Sequence, residues 1–408
     1  MTETKKSGFA SLLGPMSLGA VMFSSYVGPG FASGTQTVQY FLTKGWVGVF
    51  WGVIVCGLLA FIVNMVAFTT NRVYRPANYR ESSNIIWRNP VARQLLGIFT
   101  DLMGICSPIM SIAAQISAAS LLLNSLWGIP LLVGTAIYCA IIVIMALFGA
   151  KVLRYTGTAL TMAILGVTLY IAVTGIPNAW EGTMEFIAQR SQPEDYGFSK
   201  LDAWYIMITF MGNFLCGSNA CVAASRGVLV TKKDVLVGAA TNIILCVLAT
   251  IAYTVVFAAG MPGITQESLP TLWAIQNICG GARGAQILYA ILALSAMTST
   301  GIALLFAVSH RWEGVLAKAW KKSTPFLRKL AITLLVILIC TWGSSFGILT
   351  IVYYGFVYMG KVSWPILCLL PCFAVPYRIW KDKKDGLIDD NGIYIHADSL
   401  EKISAENN

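Results

Sequence analysis

Two glycines flanking a proline, Gly28-Pro29-Gly30, lie in the middle of the first long apolar stretch, within the run Gly28-Pro29-Gly30-Phe31-Ala32-Ser33-Gly34. A regular helix cannot pass through them. Proline has no N–H and its ring collides with the preceding turn, while glycine opens left-handed backbone angles. Hydrocarbon offers no water to satisfy the freed amide groups, so such a break survives only where protein or a cavity surrounds it. Bare N–H groups at the start of the second half-helix favour an anion, and bare carbonyls at the end of the first favour a cation. The pattern is that of a transporter's binding site. With Gly28 at the hinge, the amides of Gly30, Phe31, Ala32 and Ser33 are the candidate groups for a carboxylate.

The rest of the chain fits a membrane setting, because 57% of its 408 residues are hydrophobic and only 11% charged, against roughly 25% charged in a soluble domain. Ten apolar stretches recur, at about 11–42, 46–70, 94–125, 128–149, 155–176, 203–225, 235–260, 285–309, 329–346 and 348–377. Most reach the roughly 17–25 residues that cross hydrocarbon. The net charge of +10 is a topology signal rather than a nucleic-acid patch. Placing the N-terminus inside puts Arg72, Arg75, Arg80, Arg88 and Arg93, and later Arg311, Lys318, Lys321, Lys322, Arg328 and Lys329, on the cytoplasmic side, where loops retain Lys and Arg. The expectation is a multi-pass protein of the cell membrane with both termini cytoplasmic. The N-terminal run lacks a cleavage pattern and reads as a retained span.

A second break candidate, Asn213-Phe214-Leu215-Cys216-Gly217-Ser218-Asn219, falls in segment six. The offset of 188 residues from Pro29 to Gly217 also carries Ser107 onto Ser295 and Ser111 onto Ser299. An odd number of spans per repeat inverts the second half, so the two breaks meet near the midplane. The expected plan is a cytoplasmic N-terminus (1–10), a first five-helix repeat (11–176), an extracellular loop (177–202), a second repeat (203–377) and a cytoplasmic tail (378–408) that is polar and mobile from Lys381 onward. The acidic loop 177–202 reads either as a lid or as a solvated connector. Loop 262–284 contains a candidate short helix around Leu272 to Ile278.

Several side chains are candidates for the walls of the site. Segment three carries Asp101, Gly104, Ser107, Ser111 and Gln115 at helical spacing, and Ser111 and Gln115 are the substrate-wall candidates. Asp101, roughly 12 Å along the helix from Arg93, either lines an inward pathway as a gate or pairs structurally with a cytoplasmic Arg. In segment six Asn213, Phe214, Cys216, Gly217 and Ser218 form the opposite wall, with free carbonyls for an ammonium and Phe210 or Phe214 as an aromatic lid. Lys361 is the only basic residue deep within a span, and an unpaired lysine there costs about 2.5 kcal/mol or more. It can contact an anionic substrate group, pair with an acid such as Asp101, or snorkel to an interface.

Enzymatic and ATP-driven readings find no support. No Walker lysine follows the glycines, His310 and His396 both fall at the cytoplasmic surface, and the cysteines read as small core residues.

The string Val27-Gly28-Pro29-Gly30-Phe31-Ala32-Ser33-Gly34, followed by Gln39-Tyr40-Phe41, resembles the first-helix signature of the YkvI-type amino-acid permeases. That family is similar to the amino acid-polyamine-cation superfamily, whose members have the LeuT fold. The resemblance spans the ten-segment layout. It departs at Gln36, where an acidic residue is expected, and at Pro29, where a small one is. It implies an all-α membrane protein of ten transmembrane helices in a LeuT-like 5+5 inverted repeat, with helices one and six broken. It also implies a sodium site, because the carbonyls of Ser24 and Val27 are spaced like two backbone ligands of that site, and Ser295-Ala296-Met297-Thr298-Ser299 resembles its small-x-x-Thr-Ser pattern. The plainer alternative is that these hydroxyls bond to their own helix. Lys151 and Arg154 lie only at the mouth of segment five, which argues against a lysine that replaces the ion.

The functional expectation is a secondary active transporter of a small zwitterion, in the simplest case an amino acid, driven by sodium through alternating access. The alternative is a ligand-sensing membrane subunit of the germinant-receptor type that binds but does not accumulate its solute. Sodium is the only cofactor expected, and the partners expected are a small-molecule solute and the lipid bilayer.

Overall fold

A computed structural model describes residues 9–26, 28–76, 79–148, 165–210, 222 and 225–395. Helix α1 (Phe9–Tyr26) ends where the glycine-proline triplet begins, and the chain re-enters helix for a single turn, α2 (Pro29–Ala32). Pro29 opens that turn, the position where a missing N–H costs nothing. Gly34 then takes a left-handed conformation, φ 86°, before α3 (Thr35–Tyr40). A side chain at Gly34 would collide with the ring of Phe257 and the hydroxyl of Thr271, so glycine is needed there for both angle and space.

Among the described residues, six helical stretches are long and apolar enough to cross a bilayer: Trp51–Tyr74, Pro90–Trp127, Lys232–Ala258, Arg283–Phe306, Pro325–Ser344 and Ile348–Lys384. Shorter apolar helices cover Leu12–Phe23 and Leu131–Ala146. In chain order the elements after α3 are α4 (Trp51–Tyr74), α5 (Tyr79–Ile86), α6 (Pro90–Trp127), α7 (Leu131–Phe148), α8 (Ile176–Ala188) and α9 (Lys200–Thr209). They continue as α10 (Lys232–Ala258), α11 (Pro270–Asn277), α12 (Arg283–Ala319), α13 (Pro325–Ser344) and α14 (Ile348–Lys384), the last containing two widened π-type turns. Side-chain caps set several starts. Asn89 accepts from the amides of Val91 and Ala92 ahead of α6, and Thr231 and Asp234 cap α10 reciprocally.

Two groups of helices result. In one, α10 packs against α1 and α4; in the other, α6 packs against α7, α12 and α13. The short turn α2 touches α6 and α12 of the second group, and its Phe31 packs against Tyr253 of α10 in the first, so the break lies where the two groups meet. Strongly apolar residues such as Leu132 and Leu338 remain exposed, as expected for surfaces that face lipid.

The helix ends define two faces. Arg72, Arg75, Arg80 and Arg88 mark the basic face, and the connectors around 189–199 and 260–282 lie on the distal face. Helix α11 covers the short helix expected around Leu272 to Ile278. The break expected in segment six lies outside the described residues. The polar run after Lys381 differs from the mobile tail expected. Helix α14 continues to Lys384, Ile388 and Tyr394 form a bridge, and Tyr394 donates its amide to the Val73 carbonyl at 2.9 Å. Its ring lies 5.4 Å from that of Tyr74, so tail aromatic and aliphatic groups complete a small core against the end of α4.

Candidate functional site

The break exists, and several of its polar groups are used within the protein. The Ala32 amide, expected to point at an anion, donates to the Gly28 carbonyl at 2.9 Å, and the Ala32 carbonyl accepts from the Tyr289 hydroxyl at 2.9 Å. The Ser33 hydroxyl donates to the Gly30 carbonyl at 3.2 Å, and its own carbonyl accepts from the Thr271 amide at 2.9 Å. Phe31 is fully buried with its ring edge-on to Tyr253 at 5.0 Å. A one-turn helix must satisfy its own backbone, which explains why Ala32 is not the free donor expected.

Gln36 is the group the sequence reading missed. It is 4% exposed, and its carboxamide oxygen has no hydrogen-bond partner. A Cβ placed on Gly30 would lie 2.5 Å from Gln36 Cγ and 2.6 Å from its Cδ, so this side chain is folded across Gly30. The only sequence signal was a polar residue beside the break where the family pattern expects an acid.

Ser111 and Gln115 do stand together on α6. Gln115 donates through Nε2 to the Ser111 hydroxyl at 3.3 Å and is fully buried, and its oxygen lacks a partner. That oxygen lies directly against Gly301 of α12, where a Cβ would collide with it.

The sodium candidates divide. Ser24 lies in the last turn of α1, and Val27 falls outside the described residues. Thr298 donates to the Leu294 carbonyl at 2.7 Å, which leaves the oxygen's lone pairs able to accept a cation; Ser299 is half-buried beside it. Ser295 is exposed on the same stripe as Leu288 and Ile291 and donates to the Ile291 carbonyl at 2.7 Å, so only its backbone carbonyl remains for an ion. Asn213, Phe214, Cys216, Gly217 and Ser218 lie outside the described residues.

The two charged candidates do not meet. Asp101 pairs with Arg80 at 3.0 Å, the structural partner weighed for it, and Lys361 pairs with Asp202 at 2.5 Å. Lys361 therefore reaches an acid at the first turn of α9 on the distal face, and in this structure its partner is Asp202 rather than Asp101. Phe210 is buried with ring centroids 4.9 Å from Tyr40 and 4.8 Å from Phe41, joining the end of α9 to the end of α3.

Beside this aromatic cluster is a charge that nothing in the sequence announced. Lys44, just beyond the first apolar run, is fully buried, donates to the Thr43 hydroxyl at 2.9 Å and places its ammonium 3.2 Å from the centre of the Phe198 ring. Burial pushes its pKa down to about 7; Asp202 opposes that shift and Lys361 adds to it. The distal side of the break is thus covered by packed rings and a buried amine.

A cavity of about 150 Å³ lies elsewhere, between α4, α5, α6 and α14, lined by Asn71, Ser83, Trp87, Thr100, Gly104 and Cys368 among others. None of residues 28–36 lines it. Thr100 and Gly104 flank Asp101 on α6, so this basic-face space adjoins the Asp101–Arg80 pair.

Comparison with solved structures gives the fold. The chain is similar to the manganese transporter of Eremococcus coleocola, crystallised in a mutant form, with TM-score 0.57 and 17% identity over 93% of this chain and 80% of that one. It is similar also to a Na⁺-coupled sialic acid symporter in a substrate-bound outward-open state, with TM-score 0.59 and 14% identity over 91% and 82%. A third is Mhp1 in its inward-facing conformation, with TM-score 0.54 and 16% identity over 86% and 76%. No family model and no curated protein matches the sequence. The chain is an all-α, multi-pass membrane protein with the LeuT fold, and the structures it resembles are transporters rather than enzymes.

Proposed function

We propose that this protein is a secondary active transporter of a small zwitterionic solute, in the simplest case an amino acid, working by alternating access in the cell membrane with both termini cytoplasmic. The observation that carries the reading is the interruption of the first span at Gly28-Pro29-Gly30, with α2 seated between the two helical groups. A site at that junction changes its surroundings whenever one group rocks against the other. Among the described residues no three His, Cys, Asp or Glu side chains come together. Sodium is the coupling ion in this reading. The Thr298 and Ser299 oxygens with the carbonyls closing α1 are of the hard type an alkali cation takes, and the sialic acid symporter of the same fold is itself Na⁺-coupled. Coupling requires that the ion stabilise the outward, solute-ready state more than the inward one.

Reconstitution tests this directly. Proteoliposomes given an inward sodium gradient accumulate a labelled amino acid, and replacing Thr298 and Ser299 together by Ala abolishes the sodium dependence. Saturable binding without flux would overturn the carrier reading in favour of a sensor, and sodium dependence surviving the double substitution would place the ion elsewhere.

A further inference from the structure

The side-chain oxygens of Gln36 and Gln115 are both buried acceptors without a hydrogen-bond donor. A buried carboxamide oxygen gives up its water on folding and regains nothing unless a donor arrives. Each lies against a glycine: Gln36 across Gly30 at the break, and Gln115 against Gly301. Helices α2, α6 and α12, which carry or abut these groups, are in mutual contact. By contrast, the Ala32 amide that the sequence offered to cargo is already engaged by the Gly28 carbonyl.

We propose that Gln36 and Gln115 are the recognition groups for the cargo's ammonium, each accepting one of its N–H bonds. This rests on the zwitterion reading above. A carboxamide oxygen accepts from an ammonium without itself titrating, so the amine is held by neutral acceptors across the physiological pH range. Gly30 has a second duty in this arrangement: it leaves the space in which the Gln36 side chain lies. A methyl group at position 30 displaces that carboxamide even where the backbone is unchanged.

The test is a double-mutant cycle on the purified, monodisperse full chain, read by thermal shift. The ligands are the twenty standard L-amino acids, followed by the carboxylic acid that lacks the amino group of the best binder. Gly30→Ala and Gln36→Ala each weaken the best amino acid at least tenfold, the double variant is no weaker than Gln36→Ala, and affinity for the des-amino acid is unchanged by any of them. Gln115→Leu gives the same amine-selective loss. Strictly additive effects of Gly30→Ala and Gln36→Ala, or equal losses for the des-amino acid, overturn the assignment while leaving the zwitterion reading standing. So does a loss that instead shifts the sodium concentration needed, since the oxygens would then serve the cation. Absence of any amino-acid response in the unaltered protein overturns the zwitterion reading, and the assignment with it.

Discussion

At the basic face Asp382 is wholly buried and accepts hydrogen bonds from the Tyr74 hydroxyl at 2.8 Å and Arg88 at 2.7 Å, with Arg378 at 3.5 Å. At the distal face Lys44 is as deeply buried, yet the carboxylate of its neighbourhood, Asp202, is bonded to Lys361 instead. The first arrangement surrounds one negative charge with two positive ones and a hydroxyl. The second holds two amines around one acid that is itself partly exposed. Burial of charge is tolerated when partners compensate for lost hydration and becomes a strain when they do not. The basic-face cluster is therefore a clasp between α4, α14 and the segment after α5, whereas the distal-face cluster encloses an amine with no acid bonded to it among the described residues.

The sharpest way to break this contrast is at Asp382. Changing Asp382→Ala strands the mostly buried Arg378 and leaves the Tyr74 hydroxyl without its acceptor, while the exposed Arg88 returns to solvent, and removing one member of a buried pair costs about 3–5 kcal/mol. The unfolding temperature in detergent drops by several degrees. An unchanged melting curve would mean the clasp contributes nothing to the closed basic face.

Lys44 gives the next largest effect, and its sign is fixed by its lowered pKa. Below about pH 7 the amine is protonated whether buried or exposed, and the folded state bears the full penalty of enclosing an ammonium. Between about 7 and the ordinary value of 10.5, the buried amine is neutral while an exposed one keeps its proton, so rising pH favours the folded form. At roughly 1.4 kcal/mol per pH unit, wild type gains about 2 kcal/mol over Lys44→Met between pH 7 and 8.5. Parallel melting temperatures for the two proteins across that window would refute a buried, depressed lysine.

This contrast also marks where sequence reading reaches its limit. The break at Gly28-Pro29-Gly30 was legible because it rests on local backbone chemistry, and the spans because hydrophobic length is a local property. Lys44 was not legible, since its burial is made by Phe198 and Asp202, more than 150 residues away in the chain. Gln36 was visible only as a departure from a family pattern, because an unpaired oxygen is a fact of packing rather than of spacing. Lys361 was read from its depth in an apolar run, yet its partner sits at the capped start of α9, where Ser199 accepts from the Asp202 amide at 3.2 Å. The stretch from Lys381 to Ile395 differs from expectation for the same reason: polar composition resembles disorder, while docking of Tyr394 on α4 depends on groups supplied by the fold.

Asp202→Asn sharpens the distal half of the comparison. The carboxylate is 39% exposed and Lys361 21%, so solvent screens the pair and the stability change stays near 1 kcal/mol. Its more telling result concerns Lys44, whose deprotonation moves to lower pH once the only group raising its pKa is neutral. The pH-dependent difference between this variant and its Lys44→Met counterpart shifts accordingly; a midpoint that stays in place would show that Asp202 does not act on the buried amine.

The smallest effect belongs to Asp101 and Arg80, whose side chains are 31% and 30% exposed across a 3.0 Å contact. Hydrated pairs of this kind contribute about 0–1 kcal/mol, and Arg80 lies over Gly97, where there is no side chain to leave stranded. Asp101→Asn therefore changes the melting temperature by no more than about a degree and uptake at saturating solute by less than twofold. The position nevertheless adjoins Thr100 and Gly104 in the wall of the basic-face cavity. A tenfold fall in uptake with unaltered stability would move Asp101 from a structural pair into the path of the solute, because only a group that meets cargo during passage changes flux without changing the fold.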